Sequence, residues 1–145
     1  MKFTCTKTNF NNGINIALKA VPGKTTMPIL ECVVIEAKGD MVKLTTNDMQ
    51  LGIETKIPAE IEQDGIILVN AKMISEIVRR LPDDDVNFEV DENNNILLFC
   101  GKSKFNIPGI PHDEFPMLPK IEADKTIHIS QFTLKEMIRQ TIFSI

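Results

Sequence analysis

Residues 21–30, VPGKTTMPIL, separate two architectures. Taken as a phosphate-binding loop, Gly23-Lys24-Thr25 would belong to the strand–loop–helix unit of an α/β nucleotide-binding protein. Taken as a helix stop followed by a strand, the same residues belong to an α+β domain. A phosphate-binding loop requires a glycine five positions before the Gly-Lys-Ser/Thr triplet. That position is Leu18. The second such triplet, Gly101-Lys102-Ser103, has Ile96 there instead. Context fails as well, because a phosphate loop follows a strand and opens a helix whose amides face the anion. Gly23 follows a helical pattern and precedes Pro28, and Gly101 lies between two strand-like runs.

Upstream of Pro22-Gly23, Phe10, Ile14, Ala17, Leu18 and Val21 fall on one face of a helix over residues 8–21, which Thr8 or Asn9 can cap. Before it, FTCTK alternates as a strand. Downstream, ILECVVIEA, MVKLTTN, MQLGIETKIP and GIILVN read as four strands. AKMISEIVRRL then forms a helix with Ile74, Ile77, Val78 and Leu81 on its apolar face and Pro82 as its stop. DVNFEVD, ILLFCG and SKFNI are three further strands. Pro108, Pro111, Pro116 and Pro119 make residues 108–119 an irregular crossing segment. The expected fold is therefore α+β, with two helices packed on mainly antiparallel sheets over residues 1–120.

After a linker at 121–126 the pattern restarts. FTCTKTNFNNGINIAL (3–18) and IHISQFTLKEMIRQTI (127–142) align at a constant offset, with Phe3 matching Ile127, Phe10 Leu134, Ile14 Ile138 and Leu18 Ile142. Residues 127–145 thus read as the first strand and helix of a second, similar domain. One strand and one helix cannot bury a core alone. The expectation is that the chain is the front part of a longer multidomain protein, a natural short form being the alternative.

Composition excludes several classes. A chain of 145 residues, 43% hydrophobic and 25% charged, reads as a soluble domain of ordinary size, without a secretory leader or a membrane-length apolar run. The expected location is the cytoplasm. Cys5, Cys32 and Cys100 lack disulfide or zinc spacing and sit in strands, as buried thiols do. His112 and His128 have no ligand pattern, Asp83-Asp84-Asp85 reads as a solvated turn, and no catalytic motif occurs. No metal or cofactor is expected.

Net charge is −4, yet residues 1–30 hold four lysines and no acid. The three helices carry six basic residues against two acidic ones, the acids lying mostly on strands and turns. Helices gathered on one side would make that side positive, able to hold a phosphate backbone without reading sequence. The absence of Trp and Tyr disfavours single-strand stacking and fits duplex contact better. Charge alone does not separate such a face from ordinary solvated helices. A nucleotide-binding enzyme using a Gly-Lys-Ser/Thr segment and a generic protein-interaction module stand as alternatives.

The segments MKFT, TMPILECVVIEA, LTTNDMQLGI, VNAKMISEIVRRLPD and GKSKFNIPGIPHDEFP occur in the order and spacing of one family. Across essentially its whole length the chain resembles the bacterial DNA polymerase III β subunits, the sliding clamps. The resemblance implies three similar domains per subunit and two subunits closed head to tail around duplex DNA, with helices lining the channel. It implies a non-catalytic processivity factor that tethers the replicative polymerase after loading by a clamp loader. This chain would supply the first domain and the opening of the second, so the pocket for polymerase and loader peptides would be absent from it. The resemblance places Lys24 at the channel rim and Lys72 at the start of the second helix as DNA-binding residues, with Arg79 and Arg80 as lesser candidates. For the subunit interface of the homodimer ring it implies Ile77, Phe105 and Ile107 as the apolar part and Lys102 and Lys104 as the basic part.

Overall fold

The computed structural model describes residues 1–120 and 126–144. It opens with strand β1 (Lys2–Thr6) running directly into helix α1 (Lys7–Ala17). The cap is Thr6, whose hydroxyl accepts from the Asn9 amide at 3.2 Å, so the helix starts earlier than Thr8 or Asn9 would place it. The last turn tightens into a 3-10 turn at Leu18–Ala20, and a second 3-10 turn, Pro28–Glu31, precedes β2 (Cys32–Lys38). Pro28 at the head of that turn explains why Ile29–Glu31 is not strand. There follow β3 (Met41–Asn47), β4 (Gly52–Pro58), β5 (Glu60–Gln63) and β6 (Gly65–Asn70). Helix α2 (Ala71–Arg80) is capped by Asn70, whose side chain accepts from the Met73 amide at 3.0 Å. The domain continues with β7 (Asp85–Val90), β8 (Asn95–Cys100) and β9 (Ser103–Pro108).

The strands form two sheets, ordered β5-β1-β7-β8-β9 and β4-β3-β2-β6. Every strand pairing in both is antiparallel. One core joins both sheets to α1 and α2. Phe3 of β1 stacks on Phe88 of β7 with ring centroids 4.8 Å apart, and Phe10 of α1 meets both edge-on at 6.2 and 6.1 Å. Ile14 and Ala17 of α1, Ile74 and Val78 of α2, and Val33, Ile35, Leu44 and Ile67 of the four-stranded sheet complete it. Thr46 adds a polar tie: its buried hydroxyl donates to the Ala17 carbonyl at 2.6 Å, satisfying a group the helix end leaves open.

β2 is buried on both faces. Val33, Ile35 and Ala37 face the helices, while Cys32 and Val34 join Leu68 and Phe115 in a second apolar cluster. Phe115 comes from the proline-rich crossing segment, which is held over the four-stranded sheet at further points, Ile110 and Leu68 exchanging backbone hydrogen bonds at 2.9 Å. Asn47 Nδ2 donates to the Pro116 carbonyl at 2.8 Å, and Leu118 lies so close over Gly52 that a Cβ there would overlap it.

Helix α3 (Gln131–Thr141) is capped by Ser130 and ends in a 3-10 turn, Ile142–Ser144. Residues 127–130, expected to open the second domain with a strand, are in no strand, and no ladder partner for them is present among the described residues. Most of the expected linker, residues 121–125, lies outside the described residues. No helix among the described residues is long and apolar enough to cross a membrane.

Candidate nucleic-acid interface

α1 and α2 pack against one another and turn Phe10, Gly13, Ile14, Ala17, Ala71, Ile74 and Val78 inward. Helical periodicity then fixes what faces water. α1 presents Thr8, Asn12, Asn15 and Ile16, and the 3-10 turn after it adds Lys19. α2 presents Lys72, Met73, Glu76, Arg79 and Arg80. The exposed surface of this helical layer consists largely of amides and cations, and Glu76 is its one exposed acid.

The cations differ in how far the protein itself accounts for them. Arg79 and Arg80 lie in the last turn of α2, where a positive charge complements the helix dipole. Both also reach Glu76 Oε2, at 2.8 and 3.5 Å. Lys72 lies in the first turn, where a cation opposes the dipole, so helix stability does not explain it. Lys24 occupies an exposed bend beyond the Leu18–Ala20 turn. Among the described residues, neither Lys24 nor Lys72 has an ion-pair partner.

Two lysines on the strands, Lys2 and Lys43, are bound to acids. Lys2 Nζ lies 3.0 Å from Glu62 and 3.3 Å from Glu89, and hydrogen bonding to Glu62, then Glu89, holds its pKa above the ordinary lysine value. Lys43 Nζ lies 2.6 Å from Glu36 and 3.8 Å from Glu54, and the Glu36 hydrogen bond raises its pKa despite burial. The other strand lysines, Lys38, Lys56 and Lys104, have no ion-pair partner among the described residues. Pairing such as that of Lys43 depends on cross-strand register, Glu36 lying directly opposite Lys43 and Glu54 diagonal to it, which a linear sequence does not display.

The two Gly-Lys-Ser/Thr segments have the geometry of turns. Gly23-Lys24-Thr25 lies in the irregular stretch between the two 3-10 turns, and Gly101 and Lys102 make the β8–β9 turn, with Gly101 at φ +56°. Neither opens a helix whose backbone amides could converge on a phosphate. The exposed Asp83–Asp85 run is a bend leading into β7 and bonds to the start of α1, Thr8 Oγ1 donating to Asp83 at 3.5 Å and the Lys7 amide to the Asp84 carbonyl at 3.2 Å. No group of three metal-ligating side chains occurs among the described residues. Cys5, Cys32 and Cys100 are free and buried, and burial pushes the Cys5 thiol up to about 12.

The residues assigned to a subunit contact divide differently from expectation. β9 is an edge strand, with one side of its backbone unpaired. Lys104 lies on its outer face with Nζ 5.2 Å from the centre of the Phe99 ring, and Lys102 is exposed in the preceding turn. Phe105 and Ile77 are half-buried against the core. Ile107 requires correction. Strand alternation turns it inward, where it is 1% exposed, so its side chain serves the core rather than a contact surface.

Two features of the helical face escaped sequence reasoning. One is the Asn12/Asn15 pair, signalled only by polar residues at helical spacing in an acid-free stretch. The other is the sharing of Glu76 by two arginines, which the i+3 and i+4 spacing permits but does not assign.

Residues 1–119 match the family described as DNA polymerase III beta subunit, N-terminal domain. The beta sliding clamp of Bacillus subtilis is 40% identical over 153 aligned residues, spanning 100% of this chain and 40% of that protein. A crystal structure of the Bacillus subtilis DNA polymerase sliding clamp superposes with a TM-score of 0.93, covering 99% of this chain and 40% of the other. A crystal structure from Eubacterium rectale, assigned as a DNA polymerase III beta subunit, is 53% identical with a TM-score of 0.92, covering 99% and 39%. The chain therefore spans about two fifths of the length of these relatives.

Proposed function

The chain belongs to the DNA polymerase III β-subunit family, and from that premise we propose that it is part of a sliding clamp, the non-catalytic processivity factor that encircles duplex DNA and tethers the replicative polymerase. Residues 1–120 form its first domain, 121–126 a linker, and 127–145 the start of a second domain. The exposed Phe132, Leu134, Met137 and Ile138 of α3 support this division, because an amphipathic helix with no buried residue calls for a core from further chain. The ring is a homodimer, loaded by a clamp loader, and works in the cytoplasm. Ile77, Phe105, Lys102 and Lys104 contribute to its subunit contact along the β9 edge. The pocket for polymerase and loader peptides lies outside this stretch.

The observation that carries the DNA reading is the predominance of cations over acids on the exposed surface of the α1–α2 layer. Lys19, Lys72, Arg79 and Arg80 are exposed on that layer against one exposed acid, Glu76, and among the described residues neither Lys72 nor Lys24, in the bend after α1, has an ion-pair partner. Contacts of that kind hold phosphate without specifying bases, which suits a protein that must slide. Arg79 contributes less, being shared with Glu76.

The test is replacement of Lys24 and Lys72 by alanine in the full-length protein. Each lost phosphate contact should lower the slope of log affinity against log salt by about 0.9, or about 1.8 for the pair. Retention on duplex DNA should fall accordingly. An unchanged slope would refute the assignment of both lysines.

A further inference from the structure

On the reading that the α1–α2 face meets duplex DNA, we propose that Glu76 is a built-in competitor for the phosphate backbone, holding Arg79 and Arg80 back so that the face grips weakly enough to slide. The geometry is specific. A single carboxylate oxygen, Oε2, lies 2.8 Å from Arg79 Nη2 and 3.5 Å from Arg80 Nη2. The three side chains are 54%, 65% and 75% exposed in the order Glu76, Arg79, Arg80, so solvent and incoming anions reach them all.

A carboxylate on a phosphate-facing helix is at first sight misplaced, because it repels the ligand. Its position resolves the contradiction. It is the one exposed acid of the α1–α2 layer, and it lies on the same helix as the arginines it engages. Arginine favours planar oxyanions, and phosphate offers the same pairing as carboxylate. Contact with duplex therefore exchanges one oxyanion partner for another instead of adding a new ion pair. Lys24 and Lys72, which have no carboxylate to leave, supply the standing attraction. Arg79 and Arg80 supply an attraction offset by Glu76, so that neighbouring phosphates are gripped and released at small cost.

Glu76→Gln keeps helix propensity nearly constant while removing the charge. The full-length protein and this variant are compared for equilibrium binding to a short linear duplex across a salt series, and for one-dimensional diffusion of the loaded ring. The variant should bind about three- to tenfold tighter at low salt, the effect of one charge at ion-pair distance in water, and converge on the parent as salt screens the face. Its diffusion along DNA should slow. Removing both arginines (Arg79→Ala, Arg80→Ala) should weaken binding by the parent and abolish the gain that Glu76→Gln gives.

A gain of equal size with the arginines absent would mean plain repulsion by Glu76 and would overturn restraint of the arginines. Unchanged binding by Glu76→Gln, while Lys72→Ala weakens it, overturns the proposal and leaves the DNA face standing. No duplex binding by the parent, with both lysine variants unchanged, overturns the proposal together with the reading beneath it.

Discussion

Phe10 is the residue through which α1, and with it half of the helical face, is held to the five-stranded sheet. Its ring is fully buried and meets Phe3 and Phe88 edge-on at 6.2 and 6.1 Å. Truncation to alanine removes that packing and leaves a cavity between helix and sheet, a change that costs about 3–5 kcal/mol. Small domains have about 5–15 kcal/mol of total stability, so the variant should be marginal at room temperature. Phe10→Leu restores most of the buried volume and loses the aromatic geometry. Two edge-to-face contacts are worth about 0.5–1.5 kcal/mol each, and the leucine variant should therefore fall about 1–3 kcal/mol below the parent. Chemical denaturation monitored by far-UV circular dichroism gives both values, with the slope on denaturant checked for constancy. A loss below about 1 kcal/mol for Phe10→Ala, against the range expected for a buried phenylalanine, would refute the claim that this ring joins α1 to the sheet. Equal losses in the two variants would refute the division between volume and ring geometry.

Two further outcomes follow from the turns and the crossing segment. Gly52→Ala should displace Leu118, cost about 1–3 kcal/mol as an overpacking substitution, and raise protease sensitivity between Pro116 and Lys120; undisturbed stability and cleavage would show that Leu118 moves aside freely. Asp48 is held below the ordinary carboxylate pKa by the Leu51 and Gln50 amides, and Asp91 by the Asn95 side chain and the Asn95 and Asn93 amides. Depressed folded-state values mean that their stabilisation is complete above the ordinary value of about 3.9 and disappears as pH falls through the lower folded-state values. Asp48→Asn with Asp91→Asn should flatten the acid limb of stability against pH in that window, and a limb of unchanged steepness would rule these turns out as its source.

Local signals carried far in this chain. Residues 71–81 declared α2 through apolar spacing and Pro82, and MVKLTTN coincides with β3. The glycine missing at position 18 was enough to turn Gly23-Lys24-Thr25 from a nucleotide loop into a helix stop. What the linear reading missed depends on partners distant in sequence. β5, EIEQ, is short, and it is a strand because β1 pairs with it. The cap of α1 moved to Thr6 because β1 runs into the helix without a connecting loop. Ile107 was assigned to a contact surface through the family resemblance, and the side it faces depends on the pairing of β9 with β8. At the candidate site the cations were evident, but which of them remained unpaired was decided by cross-strand register and by the turn geometry of α2.

The two-sided burial of β2 has a consequence for how such a sequence can drift. Positions 33, 35 and 37 answer to the helices, while 32 and 34 answer to Phe115 in the crossing segment. A single strand thus carries two sets of constraints interleaved residue by residue, with little shared between them. Substitutions beneath the crossing segment can accumulate in concert with changes at Phe115 while the support of the helical layer stays as it was. Lineages can in this way remodel the outer surface of the four-stranded sheet and inherit the opposite face unchanged.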